Sequence, residues 1–322
     1  MTIENFNQWF IDDPINLEEA KQGKYGTIFL LRRAESNCIF RTDGGIVNEI
    51  TKAGINRDDL PNEFFRVLIS KRKQVAPERR TGRMLLHNET YGALAKNCLI
   101  NDNMCGECID CRLYGSAIGE NNYSIKSRVI TDEAFSLLPY RDITKNYTFN
   151  ALYENGTMRK IEKGEVRPAT SINKDEVVRP GAIFLDIETL IDLTMDEFLY
   201  TLGNILRTKR YGAMTSRLGK MENMIIGIAF SNCELFSNLE WTQRTYDILC
   251  SKLSLEEGET PQFPLDMDIV YKSSKEALKE LIEDINGVRM LKGDEITQII
   301  SQVNDIFSNQ KKLKDKLNHM TK

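Results

Sequence analysis

Four of the seven cysteines lie between Cys98 and Cys111, and the last three, Cys105, Cys108 and Cys111, form two overlapping C-x-x-C steps. A C-x-x-C turn points two thiolates at one ion, and a tetrahedral structural zinc asks for four such ligands. Gly106 suits the tight turn this needs, since glycine adopts positive φ at little steric cost. The N-terminus MTIENFNQWFIDDP lacks a basic region followed by an apolar core, so no secretory leader and no disulfides are expected. Four clustered thiols without a metal would be an oxidation liability, and the spacing therefore predicts a metal site. Cys98 is the expected fourth ligand, with His87 the competitor. A structural zinc is the first expectation; an iron–sulfur cluster uses the same thiolates and comes second. Four protein ligands leave no open coordination position, so the site reads as structural.

With 322 residues, 41% of them hydrophobic and 28% charged, the chain can bury a sizeable core and has length for about two domains. No apolar run is long enough to span a bilayer, so a soluble, cytoplasmic protein without a membrane partner is expected. The net charge of -4 hides a segregated distribution. Lys71–Arg83 (KRKQVAPERRTGR) holds six basic residues and one acidic one; Arg207–Lys220 (RTKRYGAMTSRLGK) holds five basic and no acidic residues. The stretch 240–295 is acidic. Such segregation can present basic strips on an acidic body, as a phosphate backbone requires. Two solvated loops are the plain alternative.

Gly26–Arg33 (GTIFLLRR) reads as a buried strand, and Asp58–Ser70 as a helix with Leu60, Phe64, Val67 and Leu68 on one face. The basic stretch then reads as a loop leading to the cysteines, and 113–150 as loops and short strands. Tyr147–Pro180 predicts a protruding hairpin turning at Asn155-Gly156, with prolines 168 and 180 flanking a polar return. Ala182–Thr189 is a second buried strand. Thr194–Arg207 predicts a helix opened by a Thr194/Glu197 capping box and carrying an apolar stripe. Asn223–Phe230 is a third buried strand. Strand, helix, strand is half of a ferredoxin-like unit; the first strand and helix supply the other half, separated by a long insertion. Helices are expected at 240–255, 273–286 and 293–308, then a frayed basic tail at 311–322.

Asp186 and Glu188 in FLDIET share one face of a strand and could hold a divalent ion, as in the first motif of DEDD-type exonucleases. No convincing partner aspartates follow, and two surface carboxylates at a strand end are the preferred reading. GAMTSRLGK (Gly212–Lys220) has the wrong spacing and context for a P-loop. It can still approach a nucleic-acid backbone through Arg210, Arg217 and Lys220, with Tyr211 as a stacking surface. Histidine is nearly absent, His87 and His319 alone, which removes most imidazole-based catalysis.

Five segments carry a family resemblance: APERRTGR (Ala76–Arg83), CGECIDC with RLYGSAIGE (to Glu120), SRVITDEAFSL (Ser127–Leu137), TFNALYENGTM (Thr148–Met158) and RYGAMTSRLG (Arg210–Gly219). In this order they resemble the backbone subunit of type I-D CRISPR Cascade complexes, a member of the seventh Cas family in the repeat-associated RNA-binding superfamily. The resemblance covers about Gly26 to Thr245. It implies an α+β fold: a modified RRM/ferredoxin-like palm, a zinc-binding insertion, a thumb β-hairpin and a helical C-terminal part. The expected segments are 1–70 and 182–239 for the two palm halves, 71–146 for basic loop and insertion, 147–181 for the thumb and 240–322 for the helical region. The implied role is binding CRISPR RNA, polymerising head to tail along it, joining other effector subunits and presenting the guide to target DNA. The implied RNA contacts are Lys71, Arg72, Lys73, Arg79, Arg80, Arg83, Arg128, Arg210, Tyr211 and Arg217, with Met158 as a wedge beside a displaced base. Related subunits cut RNA with a loop aspartate; Asp132 and Asp142 are available, but no local motif selects either, and no cleavage is expected. A metal-dependent nuclease using Asp186 and Glu188, and a zinc-stabilised interaction module, are the alternatives.

Overall fold

Tyr25–Ala34 (β1) is buried on both faces over nearly its whole length, so it must lie inside a sheet with a layer packed on each side. The computed structural model describes residues 3–14, 22–42, 45–55, 63–118, 123–150, 157, 159–162, 165–168, 172–256 and 258–321. After β1 come an antiparallel strand pair, Asn48–Lys52 (β2) and Glu63–Ile69 (β3), and then helix Lys71–Leu86 (α1). The cysteine segment ends in a short helix, Ile109–Tyr114 (α2). Short strands Ser116–Ile118 (β4), Tyr123–Ile125 (β5), Val129–Ile130 (β6) and Ala134–Ser136 (β7) lead to one helical turn, Tyr140–Ile143 (α3).

An arm follows. Thr144–Asn150 (β8) pairs antiparallel with Ile172–Val178 (β11), and Arg159–Glu162 (β9) with Glu165–Pro168 (β10). The arm matches the expected hairpin, although its Asn155-Gly156 turn and Met158 lie outside the described residues. Ile183–Ile191 (β12), the capping-box helix Met195–Arg207 (α4) and Met221–Ser231 (β13) complete the sheet's centre. The chain continues through helices Asn238–Lys252 (α5) and Met267–Glu283 (α6), the two-residue strand Arg289–Met290 (β14), and helices Gly293–Ser308 (α7) and Gln310–Thr321 (α8).

The main sheet runs β14-β13-β1-β12-β7-β3-β2, with β6 also on β12. All its pairs are antiparallel, so β12 and β13 run parallel with β1 inserted between them. By the same logic β1 and β7 run parallel with β12 between. These are the two interleaved halves of the ferredoxin-like palm. The period-two alternation of β1 then divides the core. Ile28 and Leu30 pack with α1, α4, α7 and α8, while Phe29 and Leu31 pack with Trp241 of α5 and Val270 and Ala277 of α6. Both faces of the palm are therefore covered by helices, and the residues beyond 240 are part of its core.

Three expectations change. Glu63–Ile69 is a strand, because Phe64, Phe65, Val67 and Ile69 favour a pleated, half-buried surface over the helical spacing read there. The basic stretch from Lys71 is a helix, not a loop. It is held by side chains spaced four apart on its inner faces, Gln74 with Glu78 and Arg79 with Arg83, which bond to other elements. The C-terminal stretch is a packed helix, not a frayed tail: Leu313, Leu317 and Met320 are buried, and Lys316 pairs with Asp196 of α4 at 2.6 Å. Leu317→Ala should lower unfolding free energy by about 2–5 kcal/mol in a denaturant titration, the range for truncating a fully buried leucine.

Candidate functional site

The four cysteines converge. Their sulfurs all lie within 4.8 Å of one another, with Cys98–Cys111 at 3.4 Å, Cys98–Cys108 at 3.8 Å and Cys105–Cys111 at 4.0 Å. Four thiolates around one zinc at ~2.3 Å stand about 3.8 Å apart, so these separations fit one tetrahedral ion and no disulfide. Gly106 takes the left-handed φ of 76° expected of the turn. Backbone amides of Cys105 and Cys108 donate to the sulfurs of Cys98 and Cys105 at 3.4 and 3.3 Å, the orientation that stabilises thiolate. A hydrogen bond from Cys108 pulls the Cys111 thiol down to about 5, while burial pushes Cys98 up. Cys98 thus joins the other three; the His87 ring instead meets Arg83 at 3.1 Å. The donor set can hold a metal ion.

A second polar centre sits in the palm itself. The guanidinium of Arg32, fully buried on β1, donates from Nε to Asp186 at 2.6 Å and from Nη2 to Glu188 at 2.7 Å. Its Nη1 reaches Glu78 of α1 at 2.9 Å, the Tyr211 hydroxyl at 3.0 Å and Asn223 Oδ1 at 2.9 Å. Asp186 also accepts from Gln74, Thr131 and Asn238. Glu78 Oε2 and Glu188 Oε2 are buried and find no hydrogen-bond partner among the described residues. Burial, then the Glu78 charge, raises Glu188 well above its ordinary 4.5. Asp186 and Glu188 do share one face, as their spacing predicts, but they are neither surface carboxylates nor metal ligands. Both are 0% exposed, and the Arg32 guanidinium fills the position that a divalent ion would need. This removes the geometric basis for the nuclease alternative.

The expected RNA contacts separate into two groups. Tyr211 is fully buried, donates to Glu78 at 2.7 Å and accepts from Asn223 at 2.6 Å, so it offers no face to a base. Arg128 is buried against Glu197, the capping-box residue of α4, at 2.5 Å. Arg83 and Arg79 of α1 both grip Asp110 in α2, at 2.6 and 2.8 Å. Arg83 is buried, and Lys71, half-buried, donates to the Val129 carbonyl at 2.5 Å. These side chains are engaged within the fold. Arg210 and Arg217 are exposed in the loop before β13, where Arg210 donates to the Leu218 carbonyl at 2.9 Å, and Lys220 pairs with Glu35 at 3.2 Å.

What remains is the outer stripe of α1. Arg72 and Arg80 are exposed and Lys73 half-exposed; none has a carboxylate partner among the described residues. Burial, then the charges of Arg72, Arg80 and Arg41, lowers the Lys73 pKa, so four cations share this surface. Arg41, tied to Asp175 of the arm, was not singled out in the sequence because it stands alone there. The buried pair of arginines, Arg32 and Arg66, was also missed. Arg66 donates to Thr51 at 3.0 Å and to the carbonyls of Leu137 and Ala53 at 2.8 and 2.6 Å, stapling β2, β3 and β7 together. An arginine inside an apolar run (LLRR, FFRVLI) is the only trace either leaves in the sequence.

Comparison with known proteins places the chain. The family model described as "Csc2 Crispr" matches residues 14–317. No curated protein matches it. The crystal structure of Thermofilum pendens Csc2 aligns over 97% of this chain and 94% of that one, at 17% identity and a TM-score of 0.59, which shows a shared fold. Chains titled "CRISPR RNA-guided surveillance complex" and "Type IV-B CRISPR Complex" align over 86% and 63% of this chain and 99% and 90% of theirs. Their identities are 10% and 14%, and their TM-scores 0.43 and 0.40.

Two outcomes test the palm centre. Arg32→Met leaves buried carboxylates without their cation and should cost about 3–5 kcal/mol of stability in a denaturant titration. Glu188 titrates higher folded than unfolded, so its contribution is complete below about 4.5 and drains as pH rises toward the folded value. The melting temperature should therefore fall less between pH 6 and pH 9 in Glu188→Gln than in the wild type, measured by circular dichroism at each pH.

Proposed function

The chain belongs to the Csc2 family of CRISPR proteins, and on that premise we propose that it is the guide-coating backbone subunit of a type I-D Cascade complex. The observation that carries this reading is the basic stripe Arg72, Lys73 and Arg80 on a helix, without a carboxylate partner among the described residues, with Arg41 beside it. Cations held at fixed spacing without carboxylate partners are suited to a phosphate backbone, and they make no provision for reading bases. Sequence reading is then left to pairing between the guide and target DNA. Arg210 and Arg217 extend the interface from the loop before β13.

The four cysteines hold zinc in this proposal: a closed thiolate set supplies folding energy to the insertion and no chemistry. The β8/β11 arm is the thumb, with Met158 as its wedge between guide bases. Copies of the chain assemble head to tail along the RNA with other effector subunits, in the cytoplasm. The subunit does not cut RNA. Asp186 and Glu188 are sealed by Arg32. Asp132, though exposed, and Asp142, paired with Arg141 at 3.6 Å, have no companion carboxylates in the metal-holding groups among the described residues.

Reversing Arg72 and Arg80 together to glutamate should weaken binding of guide-length RNA by at least about tenfold. It should also flatten the dependence of log K on log salt by about 0.7 for each phosphate left without its cation. Nuclease protection of the same RNA should show regularly spaced footprints that lengthen with protein concentration. Unchanged affinity in the reversal variant would point to the interaction-module reading. Magnesium-dependent shortening of the RNA would restore the nuclease.

A further inference from the structure

The helix that carries the basic stripe and the segment that carries the cysteines are joined by one buried anion. Asp110 stands in the first turn of α2, between Cys108 and Cys111, and is 0% exposed. It accepts from Arg79 Nε at 3.0 Å and Nη2 at 2.8 Å and from Arg83 Nη1 at 2.6 Å. The two arginines also bracket the cluster through backbone carbonyls. Arg83 donates to Cys98 at its start, and Arg79 to Gly115 just past its end at 3.0 Å. Arg83 Nη1 lies 3.6 Å from the Cys98 sulfur itself. From the other side of α1, Gln74 and Glu78 tie the helix to Asp186 and Arg32 of the palm. Thus α1 is clamped between the palm and the cysteine segment, and its outward stripe is set by both.

We propose that Asp110 is a positioning residue that couples the cysteine site to the basic stripe, so that metal bound by the four thiolates and RNA bound along α1 favour one another. The proposal rests on the RNA-binding reading above and adds a partner-dependent regulation to it. The physical basis is the cost of an unpaired buried ion. Asp110 is desolvated and doubly paired, so it cannot move without leaving charge unmatched on both sides. The backbone of residues 98–111, once gathered around an ion, fixes where Asp110 stands and therefore where Arg79 and Arg83 draw the helix. Without the ion the four thiols no longer share a ligand, and the segment holding Asp110 loses the constraint that places it. Arg72 and Arg80, one helical turn or less from Gln74, Arg79 and Arg83, then lose their fixed spacing.

Linkage requires the effect to be reciprocal: whatever factor the metal contributes to RNA affinity, RNA must contribute to metal retention. The test uses the full-length chain loaded with zinc, or with cobalt(II) for its thiolate absorption, and a single-stranded RNA of guide length. RNA affinity is measured before and after removal of the metal. Metal loss to a chelating dye is timed with and without saturating RNA, and metal affinity is measured by competition in both states. In the wild type, metal should tighten RNA binding about tenfold, inside the ~5–150-fold range usual for coupled sites, and RNA should tighten metal by the same factor. In Asp110→Asn the cobalt spectrum should keep its thiolate intensity, while both factors fall toward one. A residue that merely supports the fold would lower the melting temperature and leave this ratio alone. Arg79→Gln, which removes one of the two ion pairs at a partly exposed side chain, serves as the second variant and should roughly halve the logarithm of the factor. RNA that binds the wild type equally with and without metal would overturn the coupling and leave the RNA-binding reading intact. Coupling retained in full by both variants would acquit Asp110. No RNA binding by the metal-loaded wild type would overturn the reading and the coupling together.

Discussion

The centre of the palm depends on the buried guanidinium of Arg32. Arg32 lies on the central strand β1, where both neighbours, β12 and β13, and the covering helix α1 direct polar groups at it. Each of its three nitrogens donates to at least one acceptor, which is the condition under which a buried arginine can persist at all. The arrangement also sets register. Asp186 and Glu188 stand opposite Leu30 and Ile28 on β1, so a slip of one residue would turn both carboxylates to the other face and away from Arg32. Three carboxyls converge on one cation, and burial, then the Glu78 charge, raises Glu188 well above its ordinary value. The palm is specified by charge pairing as well as by apolar packing.

Helix α1 joins three parts of the molecule because its faces carry different chemistry. Gln74 and Glu78 turn to the palm centre, Arg79 and Arg83 to Asp110, and Arg72 and Arg80 to solvent. Gly82 permits its close approach to α4, since a Cβ there would lie 2.4 Å from the Tyr200 hydroxyl. A basic sequence does not by itself mark a nucleic-acid surface. Of the six basic residues in Lys71–Arg83, half are spent on the protein's own acceptors, and the helical phase decides which half.

The C-terminal helices alter what a palm of this type can do. An open sheet face is a natural platform for stacked bases, but here α5 and α6 cover the face that carries Phe29 and Leu31, burying Trp241 against Phe29 at 5.5 Å between ring centroids. The opposite face is taken by α1, α4, α7 and α8. Neither face of the sheet is therefore open to stacked bases, and the aromatic side chains of the sheet serve the core.

Local chemistry was legible in the sequence wherever a few neighbouring residues suffice to determine the outcome. The C-x-x-C steps with Gly106 place three sulfurs together, Thr194 and Glu197 start α4, and the short, largely apolar runs of β1, β12 and β13 read as interior strands. The family motifs extended this to the mixed α+β fold. Tertiary structure alone decided the rest, because each remaining question turned on partners distant in the chain. Whether Asp186 is a metal ligand or a counter-ion is settled by Arg32, 154 positions away, and the protein partner of Arg79 is Asp110, 31 positions away. Tyr211 reads as a stacking platform from its loop and is a core residue because Glu78 and Asn223 engage its hydroxyl. The strand at Glu63–Ile69 was hidden for the same reason: its aromatic and β-branched residues fit either period, and only pairing with β2 and β7 selects the pleat.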